Sequence, residues 1–281
     1  MNTKLLALYG LKYNPFTPEI PTNAIYVNPK LENFCWRIEH TLIREGGFAL
    51  ISGDPGTGKS VTLRLLATKL SSIRDAQVGI IQHASATLND FYRELGDIFG
   101  VVLKGSNRWG GFKTLRERWL NHLETTLLRP VLFIDEAQET PAAVLNELRL
   151  LTSTQFDSRI LLSVILAGDQ RLNDKLRREE LTPLGSRIRV RLNTEYASIE
   201  QLTQGMQHLL ASAGNPRLMT PELIKILCEH AMGNYRVLCT MAGELLATAA
   251  QQERMQLDEK LYFECFAPPQ SQRKRKGGSN G

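Results

Sequence analysis

The chain has 281 residues and a formal charge of +5, with 42% hydrophobic and 22% charged residues. Those proportions suit one large globular domain, or a domain with a small companion, and exclude a wholly disordered or fibrous chain. The pI of about 9.0 overstates the basicity of the body: Arg273, Lys274, Arg275 and Lys276 hold four of the five surplus charges, which leaves a near-neutral globule before them.

The first thirty residues carry Asn14-Pro15, Pro18, Pro21 and Pro29. Each Pro moves its predecessor out of the helical region, so residues 1–30 are expected to be extended. Short apolar runs predict buried strands at 48–52, 78–82, 131–134 and 161–167, and apolar residues alternating with Arg predict a half-exposed fifth at 188–192. Helical spacing lies between them, at 59–70, 88–99, 112–127 and 141–152, the last with Thr140 as its cap and Pro141 as its first residue. This alternation predicts an α/β fold over 31–195, a mainly parallel five-stranded sheet with helices on both faces.

After Tyr196 the strand signals stop. A capping box at Ser198-Ile199-Glu200-Gln201, then Thr220-Pro221-Glu222, 234–252 and 257–266 outline a small C-terminal helical domain over 196–266. Pro268 and Pro269 close it, and 267–281 reads as a disordered basic tail. No apolar run approaches the ~20 residues of a membrane-spanning helix, and no cleavable leader is legible. Cys35, Cys228, Cys239 and Cys265 lack metal-ligand spacing and read as reduced thiols. A cytoplasmic protein without a membrane partner is expected.

Gly53-Asp54-Pro55-Gly56-Thr57-Gly58-Lys59-Ser60 satisfies the phosphate-loop pattern G-x-x-x-x-G-K-[ST], between a predicted strand and a predicted helix. Glycines let backbone N–H groups turn toward phosphate oxygens, and the helix N-terminus adds positive potential. Gly53 to Ser60, with Val61 after them, form the expected nucleotide site. Lys59 neutralises the β- and γ-phosphates and the Ser60 hydroxyl ligates Mg²⁺. Asp135 and Glu136 end the third strand: Asp135 is expected to hold Mg²⁺ and Glu136 to act as general base on water. At the end of the fourth strand Asp169, or failing it Gln170, is placed to orient that water or meet the γ-phosphate; Asp169 equally reads as a helix cap.

With Tyr9-Gly10-Leu11, Asn14-Pro15-Phe16, Ala167 to Leu172 and Gly233-Asn234-Tyr235-Arg236, these motifs resemble the AAA+ P-loop NTPases over about residues 9 to 255. The similarity is greatest to the ExeA/GspA-like group and to transposition ATPases of the TnsC, TniB, MuB and IstB type. The resemblance implies an ATPase working with ATP and Mg²⁺, with the helical domain as its lid and Arg236 as the sensor 2 residue. It implies an arginine finger acting on a neighbouring subunit's nucleotide. Arg187 is preferred over Arg189; Arg191 on the same face keeps open a plain basic edge strand. A finger in trans implies a homo-oligomer, either a hexameric or heptameric ring or a helical filament. Tyr26 and Val27 are candidates to hold adenine.

Lys104, Asn107, Arg108, Trp109 and Lys113 lie in a Gly-rich stretch whose cations suit duplex DNA phosphates and whose Trp suits stacking. Filament-forming transposition ATPases that the chain resembles touch DNA with the corresponding region. The alternative is an ordinary surface loop with Trp109 packed back on the core. Arg273, Lys274, Arg275 and Lys276 would add DNA affinity, dock on an acidic partner such as a transposase, or serve solubility. Secretion-type ExeA proteins continue into a membrane span and a wall-binding domain, whereas this sequence ends at Gly281. The expectation is therefore a transposition regulator that recruits or activates a transposase and selects target DNA. The alternatives are an ExeA-type secretion or envelope-assembly ATPase and a phage or plasmid replication helper loader.

Overall fold

The computed structural model describes residues 3–103 and 107–266. In chain order it contains α1 (Thr3–Tyr9), α2 (Pro29–Arg37), α3 (Ile43–Glu45), β1 (Gly47–Gly53), α4 (Lys59–Ser71), β2 (Val78–Ile81), α5 (Leu88–Phe99) and α6 (Arg108–Thr126). Next come β3 (Val131–Ile134), α7 (Ala142–Thr152), β4 (Ser153–Thr154), β5 (Arg159–Ile160), β6 (Ser163–Gly168), α8 (Gln170–Leu176), α9 (Thr182–Gly185) and β7 (Ile188–Thr194). The last helices are α10 (Ile199–Ala213), α11 (Pro221–His230), α12 (Tyr235–Gln251) and α13 (Glu259–Phe266). The chain divides into two compact units: Pro21–Tyr196, and the chain up to Ile20 together with the chain from Ala197 onward.

In the first unit the five expected strands form one parallel sheet in the order β2-β3-β6-β1-β7. The three central strands are buried along their whole length, which is what continuous apolar runs require. Phe48, Leu50, Leu132, Ile134, Val164 and Leu166 face one layer, with Phe91, Leu95, Trp119, Leu145 and Leu148 from α5, α6 and α7. Their neighbours along the strands, Ala49, Ile51, Phe133 and Ile165, point to the opposite face and are equally buried. There α4 packs against β1 and β6.

Three expectations need correction here. Residues 3–9 are helical rather than extended, because the first Pro is Pro15 and its restriction reaches only the residue before it. Pro29 opens a helix, with Asn28 as its cap. The helix expected from Phe112 starts at Arg108. Asn107 caps it by accepting from the Gly110 N–H at 2.9 Å, and buried Gly111 lets Tyr92 approach, since a Cβ there would lie 3.0 Å from its Cδ1. Pro141 is extended, with ψ of 143°, so α7 begins at Ala142 with no side-chain cap. The antiparallel β4–β5 hairpin has no counterpart in the sequence reading: two-residue strands are too short for a period to show.

In the second unit Ser198 and Gln201 form the expected capping box of α10, and Thr220 caps α11. Leu202, Met206, Leu210, Leu227, Leu238, Leu245 and Leu261 make its core, joined by Tyr9, Leu11 and Phe16 from the start of the chain. Hydrogen bonds complete the joint: Lys12 N–H donates to Ala213 O at 2.8 Å, and the Asn215 side-chain amide donates to Tyr9 O at 2.8 Å. All four cysteines are free thiols. Among the described residues no helix is long and apolar enough to cross a membrane.

Phe16 is thus a core residue of the helical unit and not part of a loose leader. Phe16→Ala is expected to cost about 3–5 kcal/mol in urea unfolding of that unit; a loss below about 1 kcal/mol would remove it from the core.

Candidate active site

Parallel pairing brings the functional residues together. Ser52 of β1 pairs with Gly168 of β6, and Ile134 of β3 pairs with Leu166 of β6. The loop after β1, the acid pair after β3 and Asp169 after β6 therefore leave adjacent strand ends on the carboxyl edge of the sheet, where open α/β sheets bind ligands.

The loop from Gly53 to Ser60 is held by bonds within itself and by Thr194 of β7. Gly56 and Gly58 have φ of +83° and +98°, a region that favours glycine. Gly53 is needed for another reason: a Cβ there would lie 2.1 Å from Thr194 Oγ1 and 2.2 Å from Thr194 O. The Thr57 hydroxyl donates to Asp54 O at 2.8 Å and lies 2.7 Å from the Thr194 hydroxyl. Thr194, at the end of β7, thus supports the loop from outside the motif, and nothing in its sequence surroundings marks it. Lys59 is buried, and its ammonium donates to Gly53 O at 2.8 Å and Asp54 O at 3.0 Å, curled within the loop. Ser60 and Val61 are exposed in the first turn of α4. Tyr26 and Val27 are half-buried in the segment between the turn Thr22–Ala24, which packs on α4, and α2.

Asp135 is half-buried and accepts from the Glu136 N–H at 2.9 Å. Glu136 is exposed and has φ of +50°, unusual for a residue with a side chain and most often tolerated at functional sites. The turn it starts is tied to β6 and α8. Ala137 N–H donates to Ala167 O at 2.8 Å, and Lys175 donates to Gln138 O at 2.9 Å and to Thr140 O. Burial pulls the Lys175 ammonium below its ordinary value. The buried Gln138 side chain donates to the Glu136 carboxylate and accepts from the Asp169 N–H at 3.3 Å. Only its place two residues after the acid pair hinted at it.

Asp169 caps α8, accepting from Arg171 N–H at 2.9 Å and from the Arg171 guanidinium at 2.9 Å. Those hydrogen bonds, with the Lys59 charge adding to them, hold its carboxyl below the usual range. The helix-cap alternative therefore has its geometry; Gln170 is exposed in the first turn of α8.

Arg187 is occupied within its own chain: it donates to Asp157, in the β4–β5 turn, and to Pro183 O. Gln155, Phe156 and Asp157 in that turn all have positive φ. Arg189 pairs with Glu45 at 2.9 Å, and Arg191 donates to Gly185 O at 3.2 Å. Arg236 is exposed at the start of α12 in the helical unit, where Asn234 caps its N–H at 2.9 Å.

The proposed DNA stretch is reorganised. Residues 108–113 are helix, so glycines there serve packing and not mobility. Arg108 is engaged by Glu147, which is 3% exposed and also bonded by the Tyr92 hydroxyl. Burial acts to raise the Glu147 carboxyl, but its hydrogen bonds from Arg108 and Tyr92 prevail and hold it below its ordinary value. The Asn107 side chain is spent on the helix cap. Trp109 does not pack back on the core: it is 74% exposed and stacks on Phe112 at 5.9 Å. Lys113 is exposed beside Glu117, at 3.8 Å. Lys104 and Arg273 to Lys276 lie outside the described residues.

A phosphate loop, an acid pair and an intervening strand in this strand order resemble the nucleotide site of AAA+ ATPases. Residues 43–176 match the family model described as AAA domain. The chain also resembles the ExeA/GspA type: it is 28% identical over 242 residues to the General secretion pathway protein A of Aeromonas hydrophila. That match covers 80% of this chain and 43% of the relative, so the chain spans less than half of the relative's length. Its fold is similar to that of Cdc6p from Pyrobaculum aerophilum, with a TM-score of 0.66, 16% identity and coverage of 86% of this chain and 67% of that one. It is also similar to the Aeropyrum pernix ORC1 protein solved in complex with DNA, with a TM-score of 0.63, 19% identity and coverage of 88% and 67%. At such identities the likeness is one of fold.

Two outcomes follow from this geometry. Lys59→Ala is expected to abolish binding of a fluorescent ATP analogue, and affinity within threefold of the parent would contradict the role of the loop. Arg108→Ala, which leaves Glu147 buried without its cation, is expected to cost roughly 1–3 kcal/mol in urea unfolding, whereas exposed Lys113→Ala stays within about 0.5 kcal/mol. Equal losses would show that Arg108 is no more structural than Lys113.

Proposed function

We propose that this ATPase is an assembly switch, in which bound ATP joins subunits on duplex DNA and hydrolysis separates them. What carries the reading is the convergence of the Lys59 loop, Asp135, Glu136 and Asp169 on adjacent strand ends. Lys59 and the loop N–H groups neutralise the phosphates. Ser60 and Asp135 offer the hard oxygen ligands that suit Mg²⁺, which would add charge neutralisation at the phosphates. Glu136 takes a proton from the attacking water as the new P–O bond forms and the bond to the ADP oxygen breaks. Asp169 stands beside this line as the candidate to orient the water. Arg236 has the role the resemblance implies, a guanidinium for nucleotide phosphates. Tyr26 and Val27 are the adenine candidates.

Arg187 is the finger for a neighbouring subunit's nucleotide, which would make an oligomer, ring or filament, the ATP-bound form. Exposed Trp109 and Lys113 on the first turns of α6 support contact with DNA, and a filament needs few contacts per subunit because many act together. Recruitment of a transposase is the partner reading that follows from the resemblance to transposition ATPases. A secretion or envelope-assembly role is the second reading, favoured by the 28% match to General secretion pathway protein A.

Electron microscopy with ATP, with and without duplex DNA, decides between them. DNA-dependent rings or filaments are expected; oligomers indifferent to DNA would reject the first reading in favour of the second. Mixing Arg187→Ala with Lys59→Ala subunits is expected to restore part of the hydrolysis that each lacks alone. Complete failure to do so argues against a finger acting in trans.

A further inference from the structure

We infer that Gln138 is a positioning residue that fixes the Glu136 carboxylate for hydrolysis and reads the end of the sensor strand β6. The inference rests on Glu136 being the general base, as proposed above.

The orientation of the amide follows from its partners. A carboxylate only accepts and a backbone N–H only donates. The Gln138 NH₂ must therefore face Glu136 Oε2, and its oxygen must face the Asp169 N–H, 3.3 Å away. One side chain thus spans two strand ends, with no freedom to flip. It is buried at 7% exposure, so neither bond is readily exchanged for water.

The surroundings are shaped for this amide. At Gly168 an added Cβ would come within 2.5 Å of Gln138 Oε1 and 2.8 Å of Leu172 Cδ2, so the last residue of β6 must be glycine for the side chain to lie there. Lys175 grips the backbone of the same turn at Gln138 O and Thr140 O, and Ala137 N–H is bonded to Ala167 O. Arg171 joins Asp169 to Glu139, at 2.8 Å and 2.9 Å. The turn carrying the acid pair is therefore tied to β6 and α8 by main chain and side chain alike. Glu136 itself is exposed and holds a left-handed backbone, so its carboxylate has few other restraints. Among the described residues Gln138 is the side chain shown bonded to it. Misplacement of a catalytic group by about 1 Å can cost on the order of 100-fold in rate, and the amide is placed to prevent it.

The test uses the whole chain and the variants Gln138→Leu, Gln138→Glu, Glu136→Gln and the double variant Glu136→Gln/Gln138→Leu. Gln138→Glu keeps the shape and the acceptor for Asp169 but loses the donor to Glu136. Both single Gln138 variants are expected to lower kcat about 10- to 100-fold, with KM and the Kd for a fluorescent ATP analogue within threefold of the parent. They are expected to retain unhydrolysed ATP through gel filtration, as is Glu136→Gln. The double variant should turn over no more slowly than Glu136→Gln alone, because Gln138 acts through Glu136.

Turnover within twofold of the parent in both Gln138 variants, with Glu136→Gln inactive, overturns the inference and leaves the base assignment standing. Parent-like turnover in Glu136→Gln removes the base assignment, and the inference falls with it. Parent-like turnover in Gln138→Glu alone places the requirement at Asp169 instead of Glu136 and overturns the coupling. Loss of ATP binding in both variants assigns Gln138 to the fold, with the same consequence. A further loss in the double variant shows that Gln138 acts independently of Glu136, which also overturns it.

Discussion

The parallel register of β3, β6 and β1 is the constraint from which the site follows. Parallel strands end together, so three short segments far apart in sequence, after Ile134, Gly168 and Gly53, leave the sheet side by side. None of the candidate site residues needs a specific partner to be brought near the others. Close packing on both faces of the sheet holds the register, because a one-residue slip would exchange the side chains of two differently filled layers. Core packing and site geometry are in this sense one quantity: Leu166 and Ala167 fill the two faces of the strand whose end positions Asp169.

Close approach between strand ends then demands glycine at two positions with negative backbone angles. Gly53 yields room to Thr194, and Gly168 to Gln138. These differ from Gly56 and Gly58, whose left-handed backbones shape the loop itself. Of the three strand ends, the one after β3 carries a side chain on a left-handed backbone, at Glu136, within a turn bonded to β6 and α8. A bonded frame around a residue in such a conformation is the arrangement expected where backbone geometry serves chemistry.

Much of this was legible in the sequence, and the limits have physical reasons. Four strands showed as short apolar runs and the fifth, β7, as apolar residues alternating with Arg at the sheet edge; the phosphate loop showed through its fixed spacing of glycines, Lys59 and Ser60. Ser198, Thr220 and Asp169 announced helix starts through side chains that must accept backbone N–H groups. The first turns of α6 were misread because Gly110 and Gly111 suggest a loop, while the reason for Gly111 is the ring of Tyr92. Arg108 looked like a free cation because its carboxylate, Glu147, lies on another helix. Thr194 and Gln138 act by touching segments remote in sequence, and such contacts leave no periodic trace. The helix at the start of the chain was hidden by prolines that begin only after it ends.

That first helix has a bearing on the order in which the molecule forms. Tyr9, Leu11 and Phe16 complete a core whose other members begin at Leu202, with Pro21–Tyr196 between them in the chain. During synthesis the sheet can close around local contacts while the opening segment has nothing to pack on. It must wait for the last helices, and joining them closes a loop as long as the nucleotide unit itself, at an entropic cost that grows only logarithmically with that length. Long-range closure of this kind slows folding more than it weakens the product. The helical unit should therefore acquire its structure after the sheet, although part of its core is made before it.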